Sequence, residues 1–212
     1  ANIPWDAIGI SGSLMVGLHT PNSDIDLLVY GSDNCRKVYS AIKNLLEDSS
    51  CPLKPYSLDE LRRLFDFRSK DTLMSFEDFA RVESRKILQG KFMQTDYYIR
   101  FVKDWNEIEE KYGDVRYKNF GYGKIEAIVK DDSESIFTPC TYKIENVKVL
   151  EGPKVEPIME VASFRGRFCE QVKKGEKIVA QGKIEQVTKK DGTMYYRLLI
   201  GNKPTDYLIP KL

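Results

Sequence analysis

The sequence predicts an α+β protein: a mixed sheet with helices in its first half, then a mostly antiparallel, β-barrel-like second half. Three observations predict it. Helical and strand spacings of apolar residues alternate as far as about residue 112, and strand spacing alone follows. Charge divides at the same place, with 15 basic and 18 acidic side chains in residues 1–112 against 18 and 14 in residues 113–212. Asp191-Gly192 then stands between two alternating runs, which is a hairpin signal. The expected domains are therefore 1–112 and 113–212, with the break near Tyr112–Tyr117.

Taken in order, Ala7-Ile8-Gly9-Ile10 reads as a short apolar strand, and Ile25 to Tyr30 as a second one that Gly31 stops. Val38, Ala41, Ile42, Leu45 and Leu46 follow at helical spacing. Ser57 with Glu60 makes a capping box before Leu58, Leu61, Leu64 and Phe65. Ser75 with Asp78 opens another helix, expected to run through Phe76, Phe79, Val82 and Ile87 to a stop at Gly90. Phe92 to Val102 reads as one strand, and Asp104 with Glu107 caps a helix that uses Trp105, Ile108 and Tyr112. In the second half, Gly121-Gly123-Ile125-Ala127-Val129, Ile178-Ala180-Gly182-Ile184 and Met194-Tyr196-Leu198-Ile200 alternate as half-buried strands do.

Composition excludes several classes. The chain has 212 residues, 42% hydrophobic, and its 33 basic and 32 acidic side chains leave a net charge of +1. That excludes a globally basic nucleic-acid coat and a highly charged disordered tail. No run of about 18 apolar residues is present to span a membrane. Four scattered cysteines with no C-x-x-C pair, and one histidine, argue against a zinc knuckle and a disulfide framework. A reduced, cytoplasmic setting is the expectation. Ala1-Asn2-Ile3-Pro4-Trp5 reads as the end of a linker, so the chain is expected to be a fragment of a longer protein.

The chemistry concentrates between Ile10 and Tyr30. A strand ends in Gly12-Ser13, a short helical turn follows, and Pro21-Asn22-Ser23 reverses the chain into the next strand. Alternation there puts Ile25, Leu27 and Val29 on one face and Asp24 with Asp26 on the other. Two adjacent anions raise each other's pKa unless a cation lies between them, and all-oxygen donors at this spacing suit Mg²⁺ or Mn²⁺. Gly12 permits close backbone approach to a phosphate, to which the Ser13 hydroxyl and the amides of the turn can donate.

Gly12-Ser13, ten intervening residues, and Asp24-Ile25-Asp26 inside a strand resemble the signature of the nucleotidyltransferase superfamily that includes DNA polymerase beta and CCA-adding enzymes. The resemblance implies a nucleotidyltransferase-fold domain that moves a nucleoside monophosphate from an NTP, such as ATP, to a hydroxyl. Catalytic and metal-binding roles then fall to Asp24 and Asp26, and nucleotide binding to Gly12, Ser13 and Ser23. It also calls for a third carboxylate on a later strand, sharing the catalytic and metal-binding roles. Asp96 lies opposite the apolar face of Met93, Tyr97, Ile99 and Phe101, and Thr95-Asp96-Tyr97-Tyr98-Ile99-Arg100 resembles the polymerase beta strand that carries this residue. The whole chain, β-rich tail included, also resembles a group of archaeal predicted nucleotidyltransferases, in which an N-terminal portion precedes the catalytic segment.

Other residues are less specific. His19 lies in the loop before Asp24. Arg81 and Arg85 share a helix face at i, i+4, within reach of a triphosphate or simply solvated. Arg165 and Arg167 are placed on one side of a strand, with Phe164, Gly166 and Phe168 on the other. With Lys173, Lys174, Lys177, Lys189, Lys190 and Tyr195 they would make a surface for a nucleic-acid acceptor, or ordinary solubilising charge. Two alternatives stay open: a catalytically silent nucleotide-binding module, and a nucleic-acid-binding protein acting through its β-rich half.

Overall fold

The computed structural model describes residues 1–68, 70 and 73–211. It divides into two compact units, residues 1–61 with 84–108 and residues 62–83 with 109–212. The first ends at Ile108, just before the expected break, while residues 62–83 group with the second.

The first unit is built on a five-stranded sheet in the order β1-β2-β5-β4-β3. Its strands are β1 (Ile8–Ile10), β2 (Ile25–Tyr30), β3 (Leu53–Lys54), β4 (Gln89–Phe92) and β5 (Thr95–Val102). β2 and β5 are parallel, and the other neighbours antiparallel. α1 (Gly12–Met15) leaves β1, and α2 (Ser32–Glu47) leaves β2. α2 begins well before its apolar stripe, because Glu107 accepts hydrogen bonds from the Ser32 amide at 3.0 and 3.1 Å. Its Cys35 and Ile42 turn inward, as do Tyr97, Ile99 and Phe101 of β5. Burial pushes the Cys35 thiol up to about 11.

Three expectations fail in this unit. Phe92 to Val102 is not one strand, since Met93 takes φ +55° and turns the chain between β4 and β5. The helix after Ser75 ends at Glu83, well short of Gly90. Strand pairing overrides helical spacing there: the Leu88 carbonyl accepts from the Ile99 amide at 2.8 Å, and Gly90 pairs with Tyr97. The Asp104–Glu107 capping box forms, but only one 3₁₀ turn, Trp105–Glu107, follows it. Trp105 is 92% exposed, so no apolar surface supports a longer helix.

The second unit takes in most of α3 (Leu58–Arg68), all of α4 (Phe76–Glu83) and a sheet of six strands. Both predicted caps form: Ser57 and Glu60 bond reciprocally, and the Ser75 hydroxyl accepts from the Asp78 amide at 3.1 Å. Phe65 stacks edge-on against Phe76 and Phe79, and Arg68 pairs with Glu83 at 3.1 Å. The strands are β6 (Val115–Asp131), β7 (Cys140–Glu151), β8 (Ile158–Ser163), β9 (Lys177–Lys189), β10 (Met194–Leu199) and β11 (Tyr207–Pro210). They run in the order β10-β8-β7-β6-β9-β11, with a further ladder between β10 and β9. That ladder, with β8 and β10 parallel, gives the unit its barrel-like character. Asp191-Gly192 makes the predicted hairpin, with Gly192 at φ +87°. Inward residues Ile125, Ala127, Val129, Ile178, Ala180, Ile184 and Leu198 join Tyr142, Val161 and Phe168 in one core.

Candidate active site

Parity on two parallel strands builds the candidate site. Asp26 is aligned with Tyr98, and parallel partners project their side chains to one face. Asp96 shares that parity on β5, whereas Asp24, expected inside the strand, lies one residue before β2 begins. Asp26 and Asp96 therefore rise from one face of two neighbouring strands, which lie ~4.8 Å apart, and Asp24 is near enough to Asp26 to act on its charge. Their partners in alternation, Val29 and Tyr97, Ile99 and Phe101, fill the core.

The Gly-Ser turn is fastened beside them. The Ser11 amide donates to the Asp26 carbonyl at 2.9 Å, which brings the next residue against the Asp26 side chain. Gly12 stands there at φ +62°, and a Cβ added to it would collide with Asp26 Oδ2. Ser13 Oγ is buried and has no hydrogen-bond partner among the described residues. Such a hydroxyl costs about 1–3 kcal/mol unless something satisfies it. Ser23 is engaged within its own loop, where its Oγ accepts from the Thr20 amide at 2.9 Å. His19 is exposed.

Burial pushes the Asp26 carboxyl above its ordinary value, the neighbouring Asp24 pushes it the same way, and Arg100 pulls against both. Asp96 is differently placed. Its Oδ2 accepts from Lys91 Nζ at 2.9 Å across the β4–β5 ladder, where the two residues are direct partners. Among the described residues the three carboxylates do not converge into a group ready to hold a metal. The donor set is nevertheless all carboxylate oxygen, which suits a hard divalent ion, and an ammonium already stands against one of its members. The chemistry of the donors, though not their present spacing, fits such an ion.

Lys91 and Arg100 are missing from the sequence-based site. Lys91 was hidden by the turn at Met93, for only a hairpin places it opposite Asp96. Arg100 carried a usable signal, since it shares parity with Asp96 on β5.

The other candidates have local engagements of their own. Arg81 pairs with Asp78 and donates to the Pro210 carbonyl at 3.2 Å, and Arg85 lies beyond the end of α4. The predicted strand through Arg165 and Arg167 is absent: β8 ends at Ser163, and Gly166–Phe168 is a 3₁₀ turn with Phe168 buried. Packing of Phe168 into the core forces that turn. Lys177, Lys189 and Lys190 pair with Glu126, Glu110 and Asp114. Tyr195 donates to Glu160 at 3.5 Å, and burial pushes its phenol up to about 12. The proposed basic face does not assemble as drawn.

An Asp-x-Asp at the start of a strand, beside a Gly-Ser turn, defines a class, and the comparisons agree. The nucleotidyltransferase domain family matches residues 6–137, and the chain belongs to it. The chain is 40% identical over 199 residues to the uncharacterised protein MJ1086 of Methanocaldococcus jannaschii, covering 94% of this chain and 56% of that relative's length. No solved structure matches the chain significantly. Among the described residues no helix is long and apolar enough to cross a membrane.

Proposed function

We propose that this chain is a metal-dependent nucleotidyltransferase that moves a nucleoside monophosphate from an NTP to a hydroxyl acceptor and releases pyrophosphate. The observation that carries this reading is the packing of the Gly12 turn directly on the carboxylate of Asp26, beside Asp24. Phosphates need a close backbone approach, and the metal ligands must stand next to it. Asp24 and Asp26 would hold Mg²⁺ or Mn²⁺, which would supply Lewis-acid stabilisation of the entering and leaving oxygens. Gly12 and Ser13 hold the β/γ-phosphates, with Ser23 shaping the loop beneath them. Asp96 would complete one ion's shell and help to take the proton of the attacking hydroxyl. The oxygen bonds to the α-phosphorus as the bond to the β-phosphate oxygen breaks.

Residues 1–112 form the catalytic domain in this reading and residues 113–212 an accessory β-rich domain. Four free thiols suit a reduced, cytoplasmic setting. A nucleic-acid acceptor draws little support, because many lysines of the second half are ion-paired. The Lys91–Asp96 pair favours a second reading, nucleotide binding without turnover. Incubation with α-³²P- and γ-³²P-labelled NTPs, Mg²⁺ and a nucleotide-stripped cell extract separates the two. Transfer puts the α-label in a new species and the γ-label in pyrophosphate. Binding alone leaves both labels in NTP.

A further inference from the structure

We infer that Lys91 is a built-in counter-ion for Asp96, a positioning residue that holds the third carboxylate until a divalent ion takes it over. The inference rests on the metal-binding reading of Asp24 and Asp26 given above.

Four observations carry it. Lys91 and Asp96 are direct partners in the β4–β5 ladder, so the hairpin itself sets their approach. Nζ lies 2.9 Å from Asp96 Oδ2 and 3.4 Å from the Gln94 carbonyl, so two acceptors fix the ammonium. The Lys91 side chain is only 17% exposed, unusual for a residue whose charge is normally solvated, while Asp96 is 48% exposed and open to an incoming ligand. Finally, Asp26 and Asp96 share a face, with Asp24 beside Asp26, yet the three form no metal-ready group among the described residues.

The electrostatic consequence has a definite sign. An ammonium on Asp96 repels a dication and occupies an oxygen that would bind it, so Lys91 weakens the bare metal site. Neutralising Lys91 must tighten it.

The test is a Mn²⁺ titration of the nucleotide-free protein, with free Mn²⁺ read by its paramagnetic resonance signal. Lys91→Met and Lys91→Gln should each lower the apparent Kd by at least about tenfold, the scale of one unit charge about 5 Å from a dication even at the dielectric of water. Lys91→Arg, which keeps the charge, should bind like the wild type. The gain should shrink in an Asp96→Asn background. Unchanged or weaker binding in both neutral variants overturns the inference, provided Asp26→Asn still abolishes wild-type binding. If Asp26→Asn binds Mn²⁺ as the wild type does, or neither binds, the metal-site reading falls and this inference with it.

Discussion

Gly12 takes φ +62° against the side chain of Asp26, so backbone and carboxylate exclude any Cβ at this position. Gly12→Ala should cost about 1–2 kcal/mol from the left-handed backbone alone. Displacement of Asp26 should lower transfer by at least ~10²-fold, the usual cost of a misplaced catalytic group; thermal melts and kcat/KM check the two effects. Asp26→Asn should abolish transfer and leave the metal-free protein equally or slightly more stable, by about 0.5 kcal/mol or less. The sign follows from the raised carboxyl: the folded state binds the proton more tightly, so stability falls as pH rises through the folded value. The variant's advantage should therefore be present at neutral pH and vanish as pH falls towards 4, and melting curves across that range show it. The approach of the Gly-Ser turn to Asp26 was legible because spacing and parity are local properties. Lys91 was not, because its role depends on a turn made by Met93, a residue without turn chemistry.

The elements were legible where their ends carry chemical markers and obscure where only packing decides. Ser57, Ser75 and Asp104 cap as their sequences announce. α4 nevertheless stops early because Leu88 is needed beside β5, a demand that no local pattern contains. β7 and β8 escaped notice, although Tyr142 of β7 is central to the core. Its hydroxyl donates to the Phe168 carbonyl at 2.6 Å and accepts from the Gln171 amide at 2.8 Å. Tyr142→Phe removes both of these buried hydrogen bonds, so it should cost about 1–3 kcal/mol in denaturant unfolding, with an unchanged m-value. On β6, Glu126 meets Lys211 at 2.7 Å and Lys177 at 2.9 Å, and these bonds hold its carboxyl down at about 2. A depressed folded pKa contributes stability above the ordinary value of 4.5 that is lost as pH falls towards 2. Glu126→Gln should therefore flatten the acid limb of the melting temperature in that window, with little effect on the limb above neutrality.

For the whole molecule, alternating and uniform periodicities announced an α+β first half and a β-rich second half, and charge divided with them. Two features lay beyond that reading. Residues 62–83 group with the second unit through long-range contacts such as Arg81 with the Pro210 carbonyl, which sequence separation hides. The second half's cations look like an excess in sequence, but pairing uses many of them up. The central claim is that Asp24 and Asp26 beside the Gly-Ser turn make this chain a nucleotidyltransferase. The most direct test is pyrophosphate release from a mixed NTP pool, with Mg²⁺ and a nucleotide-stripped extract as acceptor source, for the wild type and Asp26→Asn in parallel. The account predicts release that requires Mg²⁺, matches the α-phosphate transferred mole for mole, and disappears in the variant. Equal release by both proteins, or tight NTP binding by the wild type with no release at all, would contradict it.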